Sequence, residues 1–197
     1  MYEKIKLCSK NIILITGMTR SGKTLICPII SSLNRCEQFF FNSLVENISV
    51  MNLKGDLNDT VADHLIKKAI NENIQDKLLG RNLNYKKNDF TSLKKYRKKH
   101  IYSNRTNSIK NKNFDKMKEF KINYFPILFH EALFNLKLLE KSLNRPKIIF
   151  GMGGYSSFPI CIAATILKIK FIIYENNLII GKANRYLLPF AKKIFVS

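Results

Sequence analysis

Apolar residues first become continuous at 11–16, where "NIILIT" carries no charge and reads as a strand buried on both faces. A helix is predicted over 23–33, opened by the glycine-containing loop before it, and "EQFFF" at 37–41 gives a second short strand. Helical spacing returns at 43–51 and 59–73; in the latter, Val61, Leu65, Ala69 and Ile70 fall near one face. Residues 74–123 are polar, basic and weakly periodic, an excursion or lid with some helix. Over 125–143, Leu128, Leu133, Leu136 and Leu139 recur at helical spacing, which predicts an amphipathic helix with Pro126 in its first turn. The pattern then tightens. Strand 147–150, glycine-rich loop 151–158, helix 159–167, strand 170–174, loop 175–180, helix 181–191 and strand 193–196 follow in order.

Strands separated by single helices imply a parallel sheet with right-handed crossovers. The expected fold class is therefore α/β: a parallel sheet of about five strands with helices on both faces, a P-loop/Rossmann-like three-layer sandwich. The sequence stops at a strand end, where such a domain normally continues, so an incomplete domain is expected. In these sheets chemistry sits beyond the carboxyl ends of the strands. Loops 17–24, 151–158 and 174–181 all fall there.

A chain of 197 residues can build one α/β domain or two small ones, and 46% hydrophobic content with 11% aromatics excludes a disordered chain. Cys8, Cys27, Cys36 and Cys161 are scattered, with no Cys-x-x-Cys pair, and read as buried thiols of a reducing compartment. His64, His100 and His130 lie far apart, which argues against a metal cluster. The start "MYEKIKLCSKNIILIT" has too short an apolar run for a secretory signal. No charge separates Lys147 from Lys168, yet "GMGGYSSFP" interrupts that stretch, so strand, loop and helix fit it better than a membrane span.

The formal charge is +20, and residues 81–123 hold 14 Lys+Arg against Asp89, Asp115 and Glu119, a local excess of +11. Its densest part is "LKKYRKKH". Such a surface attracts phosphates, an anionic membrane surface or nucleic acid. It is equally a plain solvated face, because Lys, Asn and Ile are abundant together, as an A/T-biased coding sequence produces. No aromatic-laced recognition module accompanies the charge, which disfavours nucleic acid.

The loop "GMTRSGKT" has Gly-x-x-x-x-Gly-Lys-Thr spacing between a strand and a helix. Gly17, Arg20, Ser21 and Gly22 would turn the backbone toward a phosphate, Lys23 would neutralise its outer oxygens, and Thr24 would hold Mg²⁺. A tight turn with a merely solvated lysine is the alternative. Hydrolysis of ATP or GTP needs a second acid at a strand end, and no predicted strand ends in Asp. The front section, 11–149, also resembles P-loop sulfotransferase-type proteins, through this loop, "EQFFFN" and "YFPILFHEALFNLKLLEKSLNRPKII". That resemblance implies PAPS as cofactor. However, "KIIF" is followed by "GMGGYSSFP" with no arginine until Arg185, so half of the expected PAPS site is missing.

The last 52 residues resemble the N-terminal domain of the MurG-type glycosyltransferases of family 28, which move GlcNAc from UDP-GlcNAc onto the lipid-linked acceptor of peptidoglycan synthesis. The matching run is Gly151-Met152-Gly153-Gly154-Tyr155, then Pro159, Ala163-Ala164, Glu175, Asn177, Gly181 and Asn184. In physical terms, Gly153 and Gly154 admit a sugar or diphosphate close to the backbone and Tyr155 can cover it; alternatively they only make a turn and Asn177 caps a helix. The resemblance implies that Asn177 faces the GlcNAc and that Glu175 shapes the cleft. Departures are clear: Tyr174 and Asn176 replace the family's His and Gln, and "GMTRSGKT" replaces the loop with its proposed catalytic His. The family's UDP-binding C-terminal domain has no counterpart here. The expected organisation is a P-loop α/β segment, 1–146, with the basic excursion at 74–123, followed by a MurG-like βαβαβ segment, 147–197. The expected function is a transferase: a hexosyltransferase fragment, or alternatively a P-loop nucleotide- or PAPS-binding sulfotransferase or kinase, or a non-catalytic basic protein of membrane surfaces. No catalytic residue is assigned. A cytoplasmic location, peripheral to the inner face of the plasma membrane, follows from these readings.

Overall fold

The apolar run at the front becomes β1 (Ile12–Thr16), with all five residues buried. A strand buried all round needs hydrogen-bonded neighbours at both edges for its backbone, and β1 has parallel ones. The structure, a computed structural model, describes residues 5–9, 11–16, 22–110, 124–130, 135–143, 148–151, 157–175, 177 and 179–196. After β1 come α1 (Lys23–Ser32), β2 (Phe40–Phe41), α2 (Ser43–Lys54), α3 (Asp59–Leu78), a 3₁₀ turn (Leu93–Lys95) and α4 (His100–Lys110). Then follow β3 (Phe125–Phe129), α5 (Leu136–Ser142), β4 (Ile148–Gly151), α6 (Ser157–Ile166), β5 (Lys170–Glu175), α7 (Lys182–Leu187) and β6 (Lys193–Val196).

The six strands form one sheet in the order β2-β3-β1-β4-β5-β6, and every pairing is parallel. Thr16 pairs with both Phe129 and Gly151, and Glu175 with Val196, so the carboxyl ends line one rim. Alternation of side chains divides the core in two. Ile12 and Leu14 face α2, α3, α5, α6 and α7, whereas Ile13 and Ile15 face α1 through Cys27 and Ile30. A parallel sheet with helices on both faces is thus what forms. It has six strands, one more than expected.

The additional strand corrects the sequence reading. Residues 125–129, expected to open an amphipathic helix, are β3, and helix begins only at Leu136 among the described residues. "FPILF" is a short apolar run, which periodicity alone cannot assign; Leu128 and Leu139 share a spacing but not an element. Pro126 suits the first turn of a helix, and within a strand it cannot donate to the ladder. The pairing explains its tolerance. Tyr124 donates to Arg35 on one side and Phe125 to Asn11 on the other, so alternation would aim an amide at 126 back toward the β2 side. There, Cys36 pairs with Tyr124 but Phe40 with Ile127, leaving an interruption where no ladder bond is lost. The same interruption confines the second strand to Phe40–Phe41 rather than 37–41.

Other elements lie close to their expected places. Asn42 caps α2 by accepting from the amides of Leu44 (2.9 Å) and Val45 (3.3 Å). Gly55, at φ 86°, ends it. α3 runs five residues past its expected end, to Leu78. Residues 148–151 and 157–166 are strand and helix, and none of the described helices is long and apolar enough to cross a membrane. Cys27, Cys36 and Cys161 are buried thiols as expected, but Cys8 is exposed.

The basic excursion is fastened to the amino rim of the sheet. Fully buried Glu37 accepts from the Gln38 amide (2.9 Å) and the Tyr102 hydroxyl, and pairs with Arg105 at 2.9 Å. Arg105 also donates to the Lys77 carbonyl (2.8 Å), and the Tyr96 hydroxyl to the Cys36 carbonyl (3.1 Å). Lys98 donates to the Leu33 carbonyl at 2.7 Å, closing the end of α1.

At the end of β4 a Cβ on Gly151 would lie 2.9 Å from Cys161 Sγ, inside α6. Gly151→Ala should therefore destabilise the protein by about 1–3 kcal/mol, the range for overpacking a core. Urea denaturation measures this, and adding Cys161→Ala should recover part of the loss.

Candidate functional site

A crevice opens at a parallel sheet's carboxyl rim where adjacent strands send their connections to opposite faces. β1 leaves to α1 on one face, while its neighbours β3 and β4 leave to helices on the other. The loops expected to bind phosphate and sugar therefore start from adjacent strand ends, Thr16 and Gly151, paired in register.

On the β1 side, Gly17, Arg20 and Ser21 lie outside the described residues. Gly22 is the N-cap of α1 at φ 81°, a left-handed conformation that favours glycine, and it supplies no side-chain cap. The first turn of α1 carries no acid and begins with Lys23, only 3% exposed, and half-buried Thr24. Burial pushes the Lys23 ammonium below its usual range, and Glu46 works against that shift. Glu46 stands in the first turn of α2 and accepts the backbone amide of His130, just beyond β3. The His130 ring meets Phe41 edge-on, with centroids 4.9 Å apart.

Lys23, Glu46 and His130 thus gather at the ends of β1, β2 and β3. Sequence reasoning missed Glu46 and His130, since 84 residues separate them and the latter was expected in a helix. Only the β3 correction places it at the rim. Among the described residues no three His, Cys, Asp or Glu side chains form a metal-holding group, and Thr24 is the one expected Mg²⁺ ligand described.

On the β4–β5 side, Gly153, Gly154 and Tyr155 lie outside the described residues, while Glu175 and Asn177 are described. Glu175, at the end of β5, is 3% exposed. Its Oε1 accepts from the Asn177 amide (3.1 Å) and side chain (2.8 Å). Oε2 accepts from the Gly181 amide (3.1 Å) and Asn184 Nδ2 (2.8 Å). Burial pushes the carboxyl upward, but these four donors outweigh it and hold the group below its usual range. An ionised carboxylate so enclosed is a brace for the loop into α7, not an accessible base. Asn177 is exposed on that brace. Buried Asn184 keeps Oδ1 without a hydrogen-bond partner among the described residues.

Because its folded state favours ionisation, Glu175 stabilises the fold above the usual carboxylate range, and the contribution fades as acidification protonates it. Glu175→Gln should cost about 1–3 kcal/mol at neutral pH, since an amide cannot accept from all four donors. In urea titrations the gap between wild type and variant should narrow as pH falls below about 4.

Residues 109–196, just under half of the chain, match the glycosyltransferase family 28 N-terminal domain. This stretch holds β3 through β6 and the Glu175 brace; β1 and Gly22–Thr24 precede it. Three similar proteins share the name UDP-N-acetylglucosamine–N-acetylmuramyl-(pentapeptide) pyrophosphoryl-undecaprenol N-acetylglucosamine transferase. The protein of Thermosipho africanus is 49% identical over 63 residues, 32% of this chain and 19% of the relative. That of Staphylococcus epidermidis is 46% identical over 61 residues, 31% and 16% respectively. That of Pelagibacter ubique is 34% identical over 70 residues, 33% and 20%. The chain thus spans about a fifth of the length of these curated relatives. No solved structure matches it.

Proposed function

We propose that this chain carries part of a family 28 glycosyltransferase site, in a hexosyl transfer from UDP-GlcNAc to a lipid-linked pyrophosphoryl acceptor. The observation that carries the reading is the Glu175 brace. It lies within the matched segment and displays Asn177 beyond the end of β5. In the transfer the acceptor hydroxyl attacks the anomeric carbon, the bond to the UDP β-phosphate breaks, and the hydroxyl proton passes to a base this chain has not been assigned. Asn177 orients a sugar hydroxyl, Gly153 and Gly154 admit the diphosphate or sugar to the backbone, and Tyr155 covers it. The ends of β1, β4 and β5 are successive, about 10 Å from first to last, which suits a diphosphate and one sugar ring. A peripheral cytoplasmic position at the membrane would bring the rim to a lipid-linked acceptor.

Saturation-transfer NMR with UDP-GlcNAc and a soluble acceptor analogue tests this. Contacts from the sugar protons are expected and should fall severalfold in Asn177→Ala, the loss of about one hydrogen bond. Absent contacts, or contacts unchanged by that substitution, sink the reading.

A second reading has its own support. It is supported by Gly22, in a left-handed conformation at the start of α1, followed by Lys23 and Thr24 at the helix N-terminus. On this reading Gly17, Arg20, Ser21, Gly22, Lys23 and Thr24 hold the phosphates of ATP, GTP or PAPS, with Mg²⁺ on Thr24 where the ligand is a nucleoside triphosphate. The segments 1–146 and 147–197 then contribute separate walls of one crevice. Titrating the three nucleotides against wild type and Lys23→Ala should show at least a tenfold loss for the true ligand, the worth of one charged contact. Equal binding by both proteins disposes of it.

A further inference from the structure

The excursion holds a cavity of about 300 Å³, lined by Tyr85, Leu93, Lys94, Lys99, His100 and Ser103. It lies away from the carboxyl rim. α1 starts at that rim and runs back along the sheet, so its end at Leu33 marks the amino rim, and Lys98 is bonded to the Leu33 carbonyl. The hollow is open to solvent: Tyr85, Lys94, Lys99, His100 and Ser103 are exposed, and its described floor is Leu93. Leu93 is 3% exposed and packs with Tyr96 and Tyr102, its amide donating to the Asn84 carbonyl at 2.7 Å. Ser92 accepts the Lys94 amide at 3.3 Å, and the Glu37–Arg105 pair with the Tyr102 hydroxyl anchors α4.

The chemistry of the lining is one-sided. Lys94 and Lys99 bring two ammonium groups, His100 an imidazole, Ser103 and Tyr85 hydroxyls, and no carboxylate among the described residues lines the space. Neither lysine pairs with an acid among the described residues. Nearby cations are employed elsewhere: Lys98 on carbonyls and Arg105 on Glu37. An anion in the hollow would meet both ammonium groups. The first turn of α4 also opens here with no acid in it, adding a positive dipole end to a site the side chains already define.

We propose that this cavity is a second anion site, at the opposite end of the sheet from the candidate active site, which takes a phosphate group through Lys94, Lys99, His100 and Ser103. A soluble diphosphate and an anionic lipid headgroup share that chemistry. Nitrogen-15 amide spectra of the full chain would be recorded with inorganic pyrophosphate, and with vesicles of phosphatidylcholine alone or containing phosphatidic acid. Saturable shifts centred on residues 93–103 are expected, and the probe that produces them identifies the source. Lys94→Gln with Lys99→Gln should weaken that binding at least tenfold, the worth of one charge-assisted contact. Lys87→Gln with Arg97→Gln, the same charge change at exposed positions outside the lining, should leave it within about twofold. His100→Asn, should the first pair fold poorly, is expected to weaken it severalfold. No saturable shift with either probe, or equal weakening by the control pair, overturns the site.

Discussion

Everything on the carboxyl rim depends on β1 being hydrogen-bonded in parallel on both edges, to β3 and to β4. A parallel neighbour cannot be reached by a tight turn, so each strand must be followed by a crossover that returns the chain to the same end. That requirement, more than any side chain, brings loops far apart in sequence to adjacent strand ends. Because, among the described residues, β1 sends its connection to the α1 face and its neighbours β3 and β4 send theirs to the other, the crevice opens at its end.

Two buried carboxylates do different work at the two ends of this sheet. Glu175 is held by neutral donors from its own loop, and the result is a fixed path from β5 into α7 with Asn177 on the outside. Glu37 instead has a cation and a phenol brought to it from over sixty residues away, which fastens the excursion to the chain leaving α1. Losing either partner of the Glu37–Arg105 pair would leave a charge buried without compensation, a larger penalty than losing an exposed pair. The basic segment is consequently not one uniform solvated face. Some of its cations close the fold, and others are left beside a cavity.

The match to the glycosyltransferase family 28 N-terminal domain begins at 109, ahead of β3, so its span includes a strand that pairs with β1. The front segment, outside that match, supplies the middle strand of the sheet. The ends of β1 and β4, one from each part, are therefore neighbours at the rim.

Sequence alone determined the parallel α/β class, because uninterrupted apolar runs alternating with helical spacing have few other stable arrangements. It also determined the glycines at strand ends and the acid at 175, since these are local features of a turn. It could not determine β3, where five apolar residues fit either period and Pro126 misleads unless the interruption in β2 is known. Nor could it find Glu46 beside His130, Arg105 against Glu37, or the cavity by Lys94 and Lys99. Those depend on which crossover lies on which face and how segments dozens of residues apart are docked, and only the packed sheet and its helices decide that.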